Sequence, residues 1–140
     1  MDNVHKPHNL AAIIRSCDAI GIGHIHGISK NHDKVGVNLK AASGSNHWVR
    51  LHTHTNKRKL FANLKDKGHT IFAANNSAKA IDFRTADFTN ASTIILGAEL
   101  DGVSDEAIEL SDQETLIAST TTLKSVLKDP FVFCIKCLSS

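Results

Sequence analysis

Arg15 and Glu99 lead the residues whose types and spacing could do chemistry. Arg15 closes the run Lys6-Pro7-His8-Asn9-Leu10-Ala11-Ala12-Ile13-Ile14-Arg15, a single guanidinium after an apolar stretch. Such a cation can hold a phosphate, or stabilise negative charge developing on an oxygen. Glu99 lies in Ile94-Ile95-Leu96-Gly97-Ala98-Glu99-Leu100-Asp101-Gly102-Val103-Ser104, an apolar run ending in a turn bracketed by Gly97 and Gly102. The amides of a glycine turn can meet the polar edge of a ligand, because no side chain blocks the approach. Each residue also has a plain structural duty. Arg15 can pair with Asp18 or Asp2 at the surface, Asn9 can cap a helix, and the two glycines can simply make a tight turn.

Two histidine pairs invite comparison with metal sites. His24-Ile25-His26 and His52-Thr53-His54 each place two imidazoles on one strand face. Neither has a third ligand in register, so no metal is predicted there. Cys134-Ile135-Lys136-Cys137 fits C-x-x-C, yet a zinc site needs two more ligands at suitable spacing. With Cys17 the cysteines number three, an odd set without a framework, which suits a reducing cytosol. No nucleophile elbow, phosphate loop or complete dinucleotide fingerprint is present; Gly21-Ile22-Gly23 lacks the third glycine and follows a helix.

The elements that must position these residues alternate between strand and helix. Asn3 to His5, His24 to Ile28, Trp48 to Thr53, Thr70 to Ala74, Ile81 to Phe83, Thr93 to Leu96 and Thr115 to Ala118 read as extended. Thr93 to Leu96 is continuously apolar, as a central buried strand would be. Asn9 caps a helix through about Ala19, with Leu10, Ile13, Ile14 and Cys17 as its buried stripe. Ala41 to Asn46 makes a short helix or tight turn. Lys57 to Lys67 is an amphipathic helix with Leu60, Phe61 and Leu64 inward, closed by Gly68. Ser104 caps a helix to Leu110, whose positive end carries Asp105 and Glu106. Alternation of this kind predicts one α/β domain with a mainly parallel sheet flanked by helices, and ligands at the carboxyl ends of its strands.

At 140 residues one domain can bury a sizeable core. A net charge of +2 gives no global field for nucleic acid. The charge is uneven, however. Arg50, Lys57, Arg58, Lys59, Lys65 and Lys67 make a basic run, while Glu99 to Glu114 is acidic. Both runs can be solvated helix faces; the basic one can also meet RNA phosphates, through Arg50, Lys57, Arg58 and Lys59. No stretch is long and apolar enough for a membrane span, and no signal peptide opens the chain.

Asn9-Leu10-Ala11-Ala12-Ile13-Ile14-Arg15 followed by Asp18-Ala19-Ile20-Gly21 closely resembles the first motif of the SpoU group of RNA 2′-O-ribose methyltransferases, and in particular its tRNA guanosine 2′-O-methyltransferase branch. Ala42-Ser43-Gly44-Ser45-Asn46-His47-Trp48-Val49 is similar to the family's internal small-residue segment, and Ile95 through Ser104 to its second motif. The likeness runs from about residue 2 to about residue 117. It implies a SPOUT-type α/β fold with a C-terminal trefoil knot, use of S-adenosylmethionine, an RNA substrate with tRNA foremost, a cytoplasmic homodimer and no membrane. By position Arg15 matches the family's catalytic Arg, Asn9 the Asn that supports it and Glu99 the second motif's Glu. Leu96, Gly97, Gly102 and Ile117 match the cofactor pocket. A guanidinium rarely gives up its proton. Arg15 is therefore expected to stabilise alkoxide and phosphate rather than to act as a base.

The resemblance stops before the family's third motif, a strand with Ile-Pro-Met and then Ser-Leu-Asn entering a helix. Here the chain reads Leu116-Ile117-Ala118-Ser119 and later Ser125-Val126-Leu127, and Asp129-Pro130 halts any helix. The expectation is a methyltransferase domain over residues 1–118 without an N-terminal extension, and a divergent tail over 119–140. The knot is then incomplete and activity impaired, as after a shifted reading frame or truncation. The alternative is a non-catalytic RNA-binding or dimerising remnant. Phe131-Val132-Phe133 is expected to pack on the sheet or on a partner.

Overall fold

A computed structural model gives the structure of the protein over residues 14–15, 17–19, 21–28, 48–97, 103–116 and 133–136, the last as backbone alone. Residues 14–15 and 17–19 are helical, with Ile14 and Cys17 buried. Gly21 ends this stretch at a φ of 75°, and its amide returns to the Asp18 carbonyl at 3.1 Å. The chain then enters β1 (His24–Ile28).

The helix α1 (Lys57–Asp66) shows how closely local rules are followed. Asn56 caps it, its side-chain oxygen accepting from the Lys59 amide at 3.0 Å. Leu60, Phe61 and Leu64 fall on one face and are the buried ones. At the far end the Gly68 amide donates to the Lys65 carbonyl at 2.9 Å, and the His69 amide to Leu64 at 3.0 Å. That pair of bonds is a Schellman closure; it needs the left-handed backbone that Gly68 adopts, with φ 81°. The shorter α2 (Asp105–Leu110) starts at Ser104 and carries Asp105 and Glu106 in its first turn, where the helix dipole favours them.

The remaining strands are β2 (Arg50–His54), β3 (Thr70–Ala74), β4 (Ile81–Asp82), β5 (Ser92–Ile95), β6 (Gln113–Leu116) and β7 (Phe133–Lys136). They form one sheet in the order β2-β1-β7-β5-β3-β6-β4. Pairings β1–β2, β3–β5, β3–β6 and β4–β6 are parallel. β7 is antiparallel to both β1 and β5, so it runs against the other six described strands. The chain is thus α/β with a mainly parallel sheet. Its core gathers Ile28, Leu60, Phe61, Leu64, Ile71, Ala73, Ile95, Val103 and Ala107, which joins the sheet to both helices. On β3, Ile71 and Ala73 belong to this core, whereas Phe72, at the alternate position, meets the Phe88 ring at 4.7 Å.

Besides β2, which starts at Arg50 where a strand from Trp48 was expected, Trp48 being an exposed turn residue, three sequence expectations need correction. β6 begins at Gln113, earlier than the Thr115 start read from apolar residues. Asp112 explains the shift: its carboxylate accepts from the Ile71 amide at 2.8 Å, while its own amide donates to the Ile71 carbonyl. This polar clamp starts the ladder before any apolar residue appears. Phe83 leaves the extended path and opens a 3-10 turn (Phe83–Thr85) capped by the Asp82 side chain. Third, residues 133–136 form a sheet strand, where the tail was expected only to pack. The strand read at Asn3 to His5, the turn at Ala41 to Asn46, the Asn9 cap and the knot fall outside the described residues.

Candidate functional site at the carboxyl ends of the strands

Parallel strands deliver their next residues to one end of the sheet, and here several polar groups gather there. β1 and β2 end at Ile28 and His54, and the chain after β2 turns through Thr55 and Asn56 into α1. A cleft of about 600 Å³ lies among Ile28, Thr55, Asn56, Lys57, Arg58, Ser104 and Glu106. A neighbouring one of about 300 Å³ is lined by Thr53 to Asn56, Lys59, Leu60 and Asn63. Ser104 is the last residue of the second motif, so that motif's end lines the cleft.

Two cations of this rim, Lys57 and Arg58, are already engaged. Lys57 Nζ donates to Ser104 Oγ at 2.6 Å and lies 3.8 Å from the Glu106 carboxylate; its side chain is only 12% exposed. Arg58 pairs with Glu106 at 2.9 Å, and Lys59 is exposed on the same first turn of α1. Ser104 Oγ also accepts from the Ala107 amide at 3.4 Å, so a single hydroxyl caps α2 and holds Lys57. Arg50 begins β2, at the amino end, and so stands at the opposite end of the strand from Lys57 to Lys59. The basic run is therefore split between two ends of the sheet.

Leu96 and Gly97 directly follow β5, half-buried, at the same carboxyl end. Arg15 is exposed on its helical stretch, beside buried Ile14. Asn9, Glu99, Gly102 and Ile117 lie outside the described residues. Along the β3–β6 edge, sequence reading missed a second polar group. Glu114 Oε2 accepts from Asn75 Nδ2 and from Ser77 Oγ, both at 2.7 Å. These bonds, Ser77 foremost, hold its carboxyl below the usual range, and Lys79 adds to the effect.

The two histidine pairs become a quartet. Parallel register sets His26 opposite His52, and the diagonal partners bond edge to edge. His24 Nδ1 lies 3.0 Å from His52 Nε2, and His26 Nδ1 lies 2.8 Å from His54 Nε2. The His26 and His52 rings stack at 4.7 Å. One ring of each pair must donate and the other accept, which requires an unprotonated nitrogen in each bond. Burial, then the charges of His52, His54, His24 and His69, push His26 down to about 3. Burial followed by His24, Arg50 and Lys67 lowers His52 as well. Among the described residues no group of three or more His, Cys, Asp or Glu is placed to hold a metal ion. Nor is any described helix long and apolar enough to cross a membrane.

Comparison with known proteins gives this arrangement a context. Residues 1–126 match the SpoU rRNA Methylase family. The chain is 38% identical over 126 residues to a tRNA (guanosine(18)-2′-O)-methyltransferase of Escherichia coli, covering 90% of this chain and 55% of the relative. To the protein of the same description from Thermus thermophilus it is 40% identical over 112 residues, covering 80% and 57%. The chain thus spans about half the length of the curated relatives it matches. Among solved structures, the Aquifex aeolicus TrmH/SpoU tRNA modifying enzyme superposes with a TM-score of 0.74 at 32% identity, over 86% of this chain and 61% of the other. The fold is shared with the SpoU methyltransferase AviRb of Streptomyces viridochromogenes, in complex with AdoMet, at a TM-score of 0.67 and 18% identity, over 86% and 51%.

Proposed function

This chain belongs to the SpoU rRNA Methylase family, and from that premise we propose that it transfers a methyl group from S-adenosylmethionine to a ribose 2′-hydroxyl of RNA, with tRNA the foremost substrate. The observation that carries the reading is the extent of the match, 90% of this chain against a relative named for that reaction. The carboxyl-end rim suits the cofactor chemically. Leu96 and Gly97 offer backbone polar groups, while Asn75 and Ser77 add neutral side chains, as an uncharged nucleoside edge requires.

When bound, the sulfonium supplies an electrophilic methyl carbon. Transfer to a ribose 2′-oxygen would leave the neutral thioether S-adenosylhomocysteine, and the hydroxyl proton would pass to solvent water. The protein's task is alignment and stabilisation of the developing alkoxide. Arg15 takes the second role; its guanidinium is exposed, able to meet an RNA oxygen. Asn9 and Glu99 complete the proposed catalytic set. Leu96, Gly97, Gly102 and Ile117 line the cofactor, and Arg50, Lys57, Arg58 and Lys59 meet the RNA. With Lys57 and Arg58 tied to Ser104 and Glu106, RNA engagement there exchanges existing partners for phosphates.

The working protein is proposed to be a cytoplasmic homodimer. Residues 1–118 form the methyltransferase unit, and residues 119–140 stand in place of the third motif. One observation favours the second reading, a non-catalytic RNA-binding or dimerising member: the tail supplies an antiparallel strand in the middle of the sheet.

Transfer of labelled methyl from S-adenosylmethionine to unmodified tRNA tests the proposal, beside calorimetric titration of the cofactor. The wild type is expected to label tRNA and to bind cofactor in the micromolar range. Arg15→Ala should lower transfer by roughly 100-fold with cofactor affinity unchanged. A wild-type chain silent in both assays refutes methyl transfer.

A further inference from the structure

Three parallel strands release their chains side by side. β3 pairs β5 with Ala73 opposite Ile95, and pairs β6 with Ala74 opposite Thr115. One residue further on, Asn75 therefore emerges between the Leu96–Gly97 step on one side and Leu116 on the other. Leu96 and Gly97 are among the residues assigned to the cofactor, so the segment that starts at Asn75 borders that rim.

One carboxylate does most to fix this segment. The Asn75 amide donates to the Thr115 carbonyl at 3.1 Å, which ties only its first residue to the sheet. Beyond it, Glu114 Oε2 collects both Asn75 Nδ2 and Ser77 Oγ at 2.7 Å. Ser77 in turn organises the next three residues: its hydroxyl accepts from the Lys79 amide at 3.2 Å, and its carbonyl accepts from the Ala80 amide at 3.1 Å. Glu114 sits opposite Ala73 in register, so it reaches forward along the sheet to take both partners. A charged acceptor with two short bonds restrains a turn that has few other ties.

We infer that Glu114 is a positioning residue for the cofactor: through Asn75 and Ser77 it sets the turn from Asn75 to Ala80 against the rim formed by Leu96 and Gly97. The inference rests on the proposed function. The carboxylate touches no reacting atom; it presets a wall, so that less ordering accompanies ligand binding.

The test uses the full chain with Glu114→Ala and Glu114→Gln, titrated with S-adenosylmethionine by calorimetry. RNA affinity and amide exchange of the ligand-free protein are measured in parallel. Glu114→Ala should weaken cofactor binding about tenfold and speed amide exchange over residues 76–80 by a similar factor, leaving RNA affinity unchanged. Glu114→Gln keeps a carbonyl oxygen able to accept from both partners, so it should stay within about threefold of wild type. Equal cofactor affinity in wild type and Glu114→Ala overturns the inference alone, as does a loss matched by an equal loss of RNA binding. A wild-type chain that takes up no cofactor overturns the proposed function and this inference with it.

Discussion

Acidification from pH 7 to pH 5 should weaken the fold through the imidazoles that β1 and β2 bring together. His26 has an ordinary pKa of 6.5 in the unfolded chain and is held to about 3 in the fold. The unfolded state therefore takes up a proton that the folded state refuses. Stability from this group is fully present above pH 6.5 and is lost as the pH falls from 6.5 towards 3. Each pH unit in that window corresponds to about 1.4 kcal/mol, so the step to pH 5 has a ceiling of about 2 kcal/mol. His26 retains partial solvent contact, and screening reduces the share to about 1 kcal/mol. His52 and His69 are lowered too, and act with the same sign. Asp87 and Glu114 lie below the usual carboxylate range; stability from them is present above the unfolded value and is lost only further into acid. Urea unfolding followed by far-ultraviolet circular dichroism at pH 7 and pH 5 measures the loss. Wild type should fall by at least about 1 kcal/mol. His26→Gln is less stable at pH 7, having changed the bond to His54, but its own fall should be smaller by about 1 kcal/mol. An equal fall in both proteins would falsify the account.

Two further substitutions probe the frame of the rim. Ser104→Ala removes the cap of α2 and the acceptor of Lys57 Nζ, so unfolding free energy should drop by about 1 kcal/mol. The same change should raise RNA affinity at low salt by freeing the ammonium, which filter binding across a salt series would show. Gly68→Ala places a side chain at a φ of 81°, where a loss of about 1 kcal/mol is expected in urea; an unchanged midpoint would mean the Schellman closure tolerates a Cβ.

Much of the frame was legible because local signals agreed. β1 and β3 have the bounds read for them in the sequence, and α1 closes where Gly68 stops it. β5 reads as central from the apolar run Ile94-Ile95-Leu96, and it lies fourth of seven. The histidine quartet was only half legible. Alternation along one strand pairs His24 with His26, but joining them to His52 and His54 needs the parallel register, a long-range property. Glu114 had no signal at all; in sequence it belongs to an acidic run, and its role comes from where β3 delivers Asn75. β7 was hidden for a similar reason. Lys136 breaks its apolar run, and only the flanking edges of β1 and β5 make that segment a strand.

The position of β7 has a mechanical consequence. Among the described strands, β1 and β2 reach the other four only by way of this last segment, as an arch depends on its keystone. His24 faces Ile135, so the seam joins chain segments lying far apart in sequence. Closing it entails a large entropic loss and should come late in folding. Until then two bare edges face outward, open to pairing with a neighbouring molecule. A bulky fusion placed just beyond Lys136 would strain the whole sheet at its middle, whereas the same addition beside β4 would burden only a margin.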